Sequence, residues 1–99
     1  MSTGDEPFAI EFAKEAEGEI RPLPAADAKM ILQEIQHRLS FEPFKGNKTR
    51  IKRLVGFTPP FYRLRVGDYR IYYRVVGQQV VVLTVLHKKD SDRWLKRRS

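Results

Sequence analysis

The segment from Phe61 to Val75 constrains this chain more than any other: Phe-Tyr-Arg-Leu-Arg-Val-Gly-Asp-Tyr-Arg-Ile-Tyr-Tyr-Arg-Val. Apolar and basic residues alternate on both sides of Gly67-Asp68, and successive side chains of a strand point to opposite faces. A two-residue turn at Gly67-Asp68 pairs Val66 with Tyr69, Arg65 with Arg70, Leu64 with Ile71 and Arg63 with Tyr72. One face then carries Tyr62, Leu64, Val66, Tyr69, Ile71 and Tyr73 and reads as core. The other carries Arg63, Arg65, Arg70 and Arg74. Like charges directly opposed across an antiparallel pair destabilise a sheet. Arg65 against Arg70 therefore points to a polyanionic partner, not to a demand of folding.

The 99 residues are enough for one small domain, 1–99, with one hydrophobic core. An apolar fraction of 41% suits a folded globular protein. The longest uncharged apolar run, Val80 to Leu86, is too short to span a bilayer. Cysteine is absent, which excludes a disulfide framework and thiolate metal sites and fits a reducing cytoplasm. The N-terminal Met-Ser-Thr-Gly-Asp-Glu-Pro has neither the basic nor the apolar region of a secretory signal, so none is expected. The net charge of +7 is unevenly spread. Residues 1–47 carry 5 basic and 9 acidic side chains, a net of −4, and residues 48–99 carry 14 and 3, a net of +11. A positive half on one small domain attracts phosphates through its field. Because these charges alternate with core residues, they do not read as a solvated tail.

Phe8 to Phe12 alternates as a first strand, after which Phe12, Ala16 and Ile20 follow a helical spacing. Pro22 and Pro24 stop that helix and permit another, since proline is tolerated in a first turn. Ala28, Leu32, Ile35 and Leu39, widened by Met30 and Ile31, predict a second helix from Ala25 to Ser40. Four strands follow, at about Arg50 to Val55, Phe61 to Val66, Tyr69 to Val75 and Val80 to Leu86. The last is nearly continuous and β-branched, as a strand covered on both faces should be. Asp90 to Arg98 predicts a short basic helix anchored by Trp94. The order β-α-α-β-β-β-β describes an α+β fold with two helices on a mainly antiparallel sheet.

Regular pairing of Val75 with Val80 sets Arg70 opposite Val85 and brings His87 to the arginine face, followed by Lys88 and Lys89. Such a group suits phosphoryl chemistry on RNA, in which a ribose 2′-hydroxyl attacks its own 3′-phosphate in line. Guanidinium forks hold the charge of a phosphorane-like transition state. Histidine is the natural proton-transfer group. No metal or other cofactor is suggested, because this face offers one histidine and no carboxylate cluster. The plainer alternatives are a strand-end packing role for His87 and a packing anchor for Trp94. Base stacking is the functional reading of Trp94, and base stacking or phosphate contact that of Tyr72. All of this depends on register: one slip would send the guanidinium groups and the imidazole to different sides. The aromatic signature of RNA-recognition sheets and the GXXG clamp are both missing. A helix-turn-helix is disfavoured because the helical half is the acidic half.

Ile51-Lys52-Arg53-Leu54, the Tyr62 to Val75 hairpin, the valine strand and His87-Lys88-Lys89-Asp90 together resemble the RelE/ParE toxin superfamily of type II toxin–antitoxin systems, on its RelE side. The resemblance runs from about Phe8 to Trp94. It implies a cytoplasmic, ribosome-dependent endoribonuclease that cuts mRNA in the A site, and a cognate antitoxin that wraps the toxin as a hetero-oligomer. By position, Arg63 and Arg65 match the family's basic pair before the turn and Arg70 the arginine after it. Lys88 or Lys89 falls near a basic residue after the last strand. A tyrosine often found in the C-terminal segment has no clear counterpart; Trp94 is nearest and lacks a phenolic oxygen. The resemblance thus implies Arg65, Arg70, His87 and Lys89 as catalytic residues. Lys52, Arg63, Tyr72, Arg74, Lys88 and Trp94 would bind RNA. Two alternatives remain at this point: a ParE-like gyrase inhibitor without nuclease chemistry, and a non-catalytic nucleic-acid-binding domain.

Overall fold

The computed structural model describes residues 6–44 and 50–98. Its elements are β1 (Ala9–Phe12), α1 (Lys14–Ile20), α2 (Ala25–Glu34), β2 (Ile51–Leu54), β3 (Phe61–Val66), β4 (Tyr69–Val76), β5 (Gln79–His87) and α3 (Ser91–Arg98). The five strands form one sheet in the order β1-β5-β4-β3-β2, with β1 parallel to β5 and the other pairs antiparallel. This is the α+β arrangement that the sequence predicts. Among the described residues, no helix is long and apolar enough to cross a membrane.

The strands alternate as their sequences dictate, and α1 and α2 cover one face. Ala16, Ile31, Ile35 and Leu39 from the helices meet Ile51, Leu64, Val66, Ile71, Tyr73, Val80, Val82 and Val85 from the sheet. The seam of the second helix is narrower than its spacing suggests. Ile31, Ile35 and Leu39 are buried, whereas Met30 and Leu32 are about two-fifths exposed. A π-helical turn follows over Ile35–Leu39 and carries two of the three buried residues. Tyr73 reaches the far side of this core, where its hydroxyl donates to the Pro43 carbonyl at 2.6 Å.

The β4–β5 ladder begins as expected, with Val75 opposite Val80 and Tyr73 opposite Val82. It then slips. Tyr72 faces Thr84, so β5 contains one extra residue, a β-bulge, and every later position changes partner. Arg70 lies opposite Leu86, not Val85, and His87 lies opposite Tyr69. The cause is local. β1 ends at Phe12, opposite Val82, and Ala13 N–H donates to the Val82 carbonyl at 2.9 Å. Beyond that point the edge of β5 has no β1 to pair with, and the Glu19 carboxylate of α1 takes its place. Val85 N–H donates to it at 2.8 Å, and Thr84 Oγ1 lies 2.7 and 2.8 Å from its two oxygens. A buried backbone donor thus finds a side-chain acceptor where the ladder is interrupted.

Burial raises the Glu19 pKa, the bonds from Val85 and Thr84 oppose the rise, and the charge of Glu15 adds to it. A carboxyl whose folded pKa is raised binds its proton more tightly in the native state. Its contribution to stability therefore declines as pH climbs from its ordinary value, 4.5, through the folded one. Glu19→Gln should flatten that decline in urea melts across this range. Glu19→Ala leaves the Val85 N–H and the Thr84 hydroxyl without their acceptor and should cost about 1–3 kcal/mol. Equal stability of the alanine variant and the parent would show that the bulge does not depend on Glu19.

Candidate nucleic-acid interface

The β3–β4 hairpin turns at Gly67-Asp68 with Gly67 at φ 55°, a left-handed value suited to the first residue of a two-residue loop. The register is the one that the alternation predicts: Arg65 lies opposite Arg70 and Arg63 opposite Tyr72. Lys52 on β2 pairs with Arg63, which extends the cationic surface to the sheet edge. Arg70 Nη1 donates to the carbonyls of Gly67 at 3.0 Å and Tyr69 at 2.9 Å, holding its guanidinium at the turn. The end of β5 joins the same place. Lys88 N–H donates to the Asp68 carbonyl at 2.7 Å, and Lys88 Nζ stands 3.4 Å from Asp68 Oδ1. Lys89 follows in the exposed 3-10 turn Lys88–Asp90.

Burial pushes the Arg70 pKa down, and the charges of Arg65 and Arg63 push it further; Tyr72 and Asp68 partly offset them. The guanidinium groups of Arg65 and Arg63 thus make Arg70 harder to keep charged, and an anion placed beside it would relieve that cost.

The rest of the same face is closed. After the 3-10 turn, α3 folds back across the sheet and seats Trp94 on Tyr72, with ring centroids 4.8 Å apart and planes at 19°. Phe61 lies 5.7 Å from the indole, and the Tyr72 hydroxyl hydrogen-bonds Ser91 Oγ. Leu54, Phe57, Leu83, Leu86 and Leu95 complete this second apolar cluster. Arg98 stacks its guanidinium 4.7 Å from the Trp94 ring centre and reaches Glu15 at 3.6 Å.

Two expected RNA contacts are thereby corrected. Tyr72 is fully buried and Trp94 is 7% exposed, so neither offers a ring to a base. Each ring occupies the other's face. Arg74 also stands apart, since Tyr72 separates it from Arg70 along β4. Among the described residues, the Nε atoms of Arg63 and Arg74 and the indole Nε1 of Trp94 are buried without a hydrogen-bond acceptor.

His87 is the third correction. The bulge carries it to the helix-covered face, where its ring lies 6.1 Å from Tyr69 at 73°. Its Nδ1 accepts from Lys89 N–H at 3.2 Å, capping the 3-10 turn. That bond assigns the neutral ring's proton to Nε2. Tyr69 in turn donates to Asp27 Oδ2 at 2.7 Å, a bond that raises the tyrosine's pKa. The structure therefore gathers Lys52, Arg63, Arg65, Arg70 and Lys88 at one end of the sheet and places His87 behind them. Glu19, which sets this outcome, was not singled out from sequence. The one local hint is Thr84, a hydroxyl interrupting an apolar run.

Residues 10–91 match the family model of the ParE toxin of type II toxin–antitoxin systems. The chain belongs to that family, within the RelE/ParE superfamily that its hairpin resembles. It is 37% identical over 62 residues to Toxin RelE3 of Methanocaldococcus jannaschii, a match covering 63% of this chain and 66% of that protein. The match thus spans just under two-thirds of that relative's length. Among solved structures, the fold is similar to the RelBE2 toxin–antitoxin complex of Mycobacterium tuberculosis, at 26% identity and a TM-score of 0.73, covering 84% of this chain and 93% of that one. It is also similar to the RelB–RelE antitoxin–toxin complex of Methanococcus jannaschii, at 30% identity and a TM-score of 0.61, covering 85% and 96%.

The like-charge pair gives a direct test of whether this site strains the fold. Arg65→Gln should stabilise the free protein by about 0.2–1 kcal/mol at low ionic strength. The gain should shrink as salt screens the exposed charges. Denaturant melts at two salt concentrations measure it, and a destabilised variant would contradict the reading.

Proposed function

We propose that this chain is an RNA-directed toxin, an endoribonuclease that cleaves ribosome-bound mRNA at the cationic end of the β3–β4 hairpin. One observation carries the reading: Arg65 opposes Arg70, with Arg63 and Lys52 alongside, a grouping that folding disfavours and a phosphate backbone relieves. Arg65 and Arg70 hold the developing charge on the phosphorane-like transition state. Arg63 and Lys52 bind neighbouring phosphates, and Lys88 and Lys89 flank the turn. The 2′-oxygen attacks in line, forming its bond to phosphorus as the bond to the 5′-oxygen breaks; water takes the 2′ proton and returns one to the leaving oxygen, giving a cyclic phosphate and a free 5′-hydroxyl. Positioning and charge stabilisation carry the rate. Proton transfer does not pass through His87, which lies across the sheet.

The solved neighbours are complexes with RelB antitoxins, which supports a protein antitoxin as this chain's partner. A segment with acidic side chains over the hairpin end would neutralise the cluster and block RNA. A ribosomal target makes the cytoplasm the place of action.

A second reading, a gyrase inhibitor, draws on one specific observation: the arginine cluster has no imidazole beside it. The two separate in cells. Expression should arrest translation without inducing a DNA-damage response; the reverse pattern would favour gyrase.

In a ribosome-bound cleavage assay, Arg65→Ala and Arg70→Ala should each lower the rate by about 10²–10³. His87→Gln should stay within a few-fold of the parent and keep the same pH profile. A pH profile altered by that substitution would return the imidazole to the chemistry.

A further inference from the structure

We infer that the groove between the end of β2 and α3 is a second RNA subsite, taking the nucleotide next to the one held by the arginines. The inference rests on the RNA reading above and extends it to residues outside the cationic cluster. The groove encloses about 350 Å³, within the range of small-molecule sites, about 300–1,000 Å³. Its rim carries Lys52, Arg53 and Lys96, and its floor is Leu54, Phe57 and Leu95.

Charge, continuity and shape identify the occupant. Every ionisable residue lining the groove is basic, so it is complementary to a polyanion. Lys52 belongs to both places: it lines the groove and is the cross-strand partner of Arg63. A backbone crossing the arginines therefore reaches the groove without leaving cationic surface. The floor supplies what a phosphate site lacks. The Phe57 ring is half-buried, 4.9 Å from Phe61, which leans in turn on Trp94. Supported from behind by that row of rings, Phe57 is a firm surface for a base. Base–aromatic stacking accepts any base, because each has a π-face. A purely apolar helix as occupant would offer the basic rim no complementary charge. Single-stranded RNA satisfies both rim and floor.

The test uses the full chain and a short single-stranded RNA carrying 2-aminopurine at successive positions. Quenching should appear at one position next to the scissile phosphate. Phe57→Ala should abolish that quenching and weaken binding about tenfold, within the range seen when one stacking ring is removed. Phe57→Tyr keeps the ring and should preserve both, which guards against a folding defect, as does the near-ultraviolet dichroism of Trp94. Arg53→Gln with Lys96→Gln should make the log–log salt dependence shallower by about 1.4, roughly 0.7 per phosphate contact.

Normal binding, quenching and salt slope in all these variants, with Arg65→Ala still defective, would overturn the subsite and leave the toxin's RNA target standing. Failure of the parent chain both to bind this RNA and to cleave ribosome-bound mRNA would overturn both. Quenching that is insensitive to Phe57, alongside an acidic peptide that protects Phe57 and Leu95 from chemical labelling, would assign the groove to a protein partner.

Discussion

The burial of β4 on both faces is the constraint on which the rest of the molecule depends. As the middle strand of five, it presents Ile71 and Tyr73 to the helices on one side and Tyr72 to Trp94 on the other. The helical layer needs apolar residues at alternate positions. The Trp94 layer needs one aromatic between two arginines. The Tyr72–Trp94 stack divides what would be a uniform arginine row into a sealed part and an open part. Arg74 falls on one side of the stack, and Arg65 and Arg70 meet on the other, at the hairpin end. The site is as much a product of where α3 stops covering the sheet as of where the arginines lie.

The hairpin could be read from its own residues because everything that fixes its register is local. Gly67-Asp68 supplies the turn, and alternation on either side leaves one pairing that buries the apolar set. The order of helices and strands followed from equally local signals: prolines 22 and 24, helical spacing, and β-branched runs. What failed was the parity of β5 beyond Val82. The extra residue there is stabilised by a carboxylate more than sixty positions away in sequence, bonded to Thr84 and Val85. Within Val80 to Leu86 only the Thr84 hydroxyl hints at an acceptor, and nothing there names α1 as its source. With side chains alternating every residue, one inserted position moved His87 from the arginine face to its opposite. Trp94 was legible as an anchor, yet the depth at which Tyr72 lies beneath it was not, because that depends on how α3 returns over the sheet.

The site also shows what the fold tolerates for a partner. Three guanidinium groups and a lysine stand close enough for Arg65 and Arg63 to depress the Arg70 pKa. The apolar contacts of the two clusters lie on either side and hold this arrangement against its own repulsion. The histidine lies off this cationic surface, opposite Tyr69.

The bond from Lys88 N–H to the Asp68 carbonyl carries a consequence for recognition. It fastens the last strand's end to the tip of the neighbouring hairpin, so two segments distant in sequence share one backbone hinge point. A flexible tip would have to surrender conformational freedom each time a partner arrived. Here that loss falls within folding itself, and the encounter meets a rigid template.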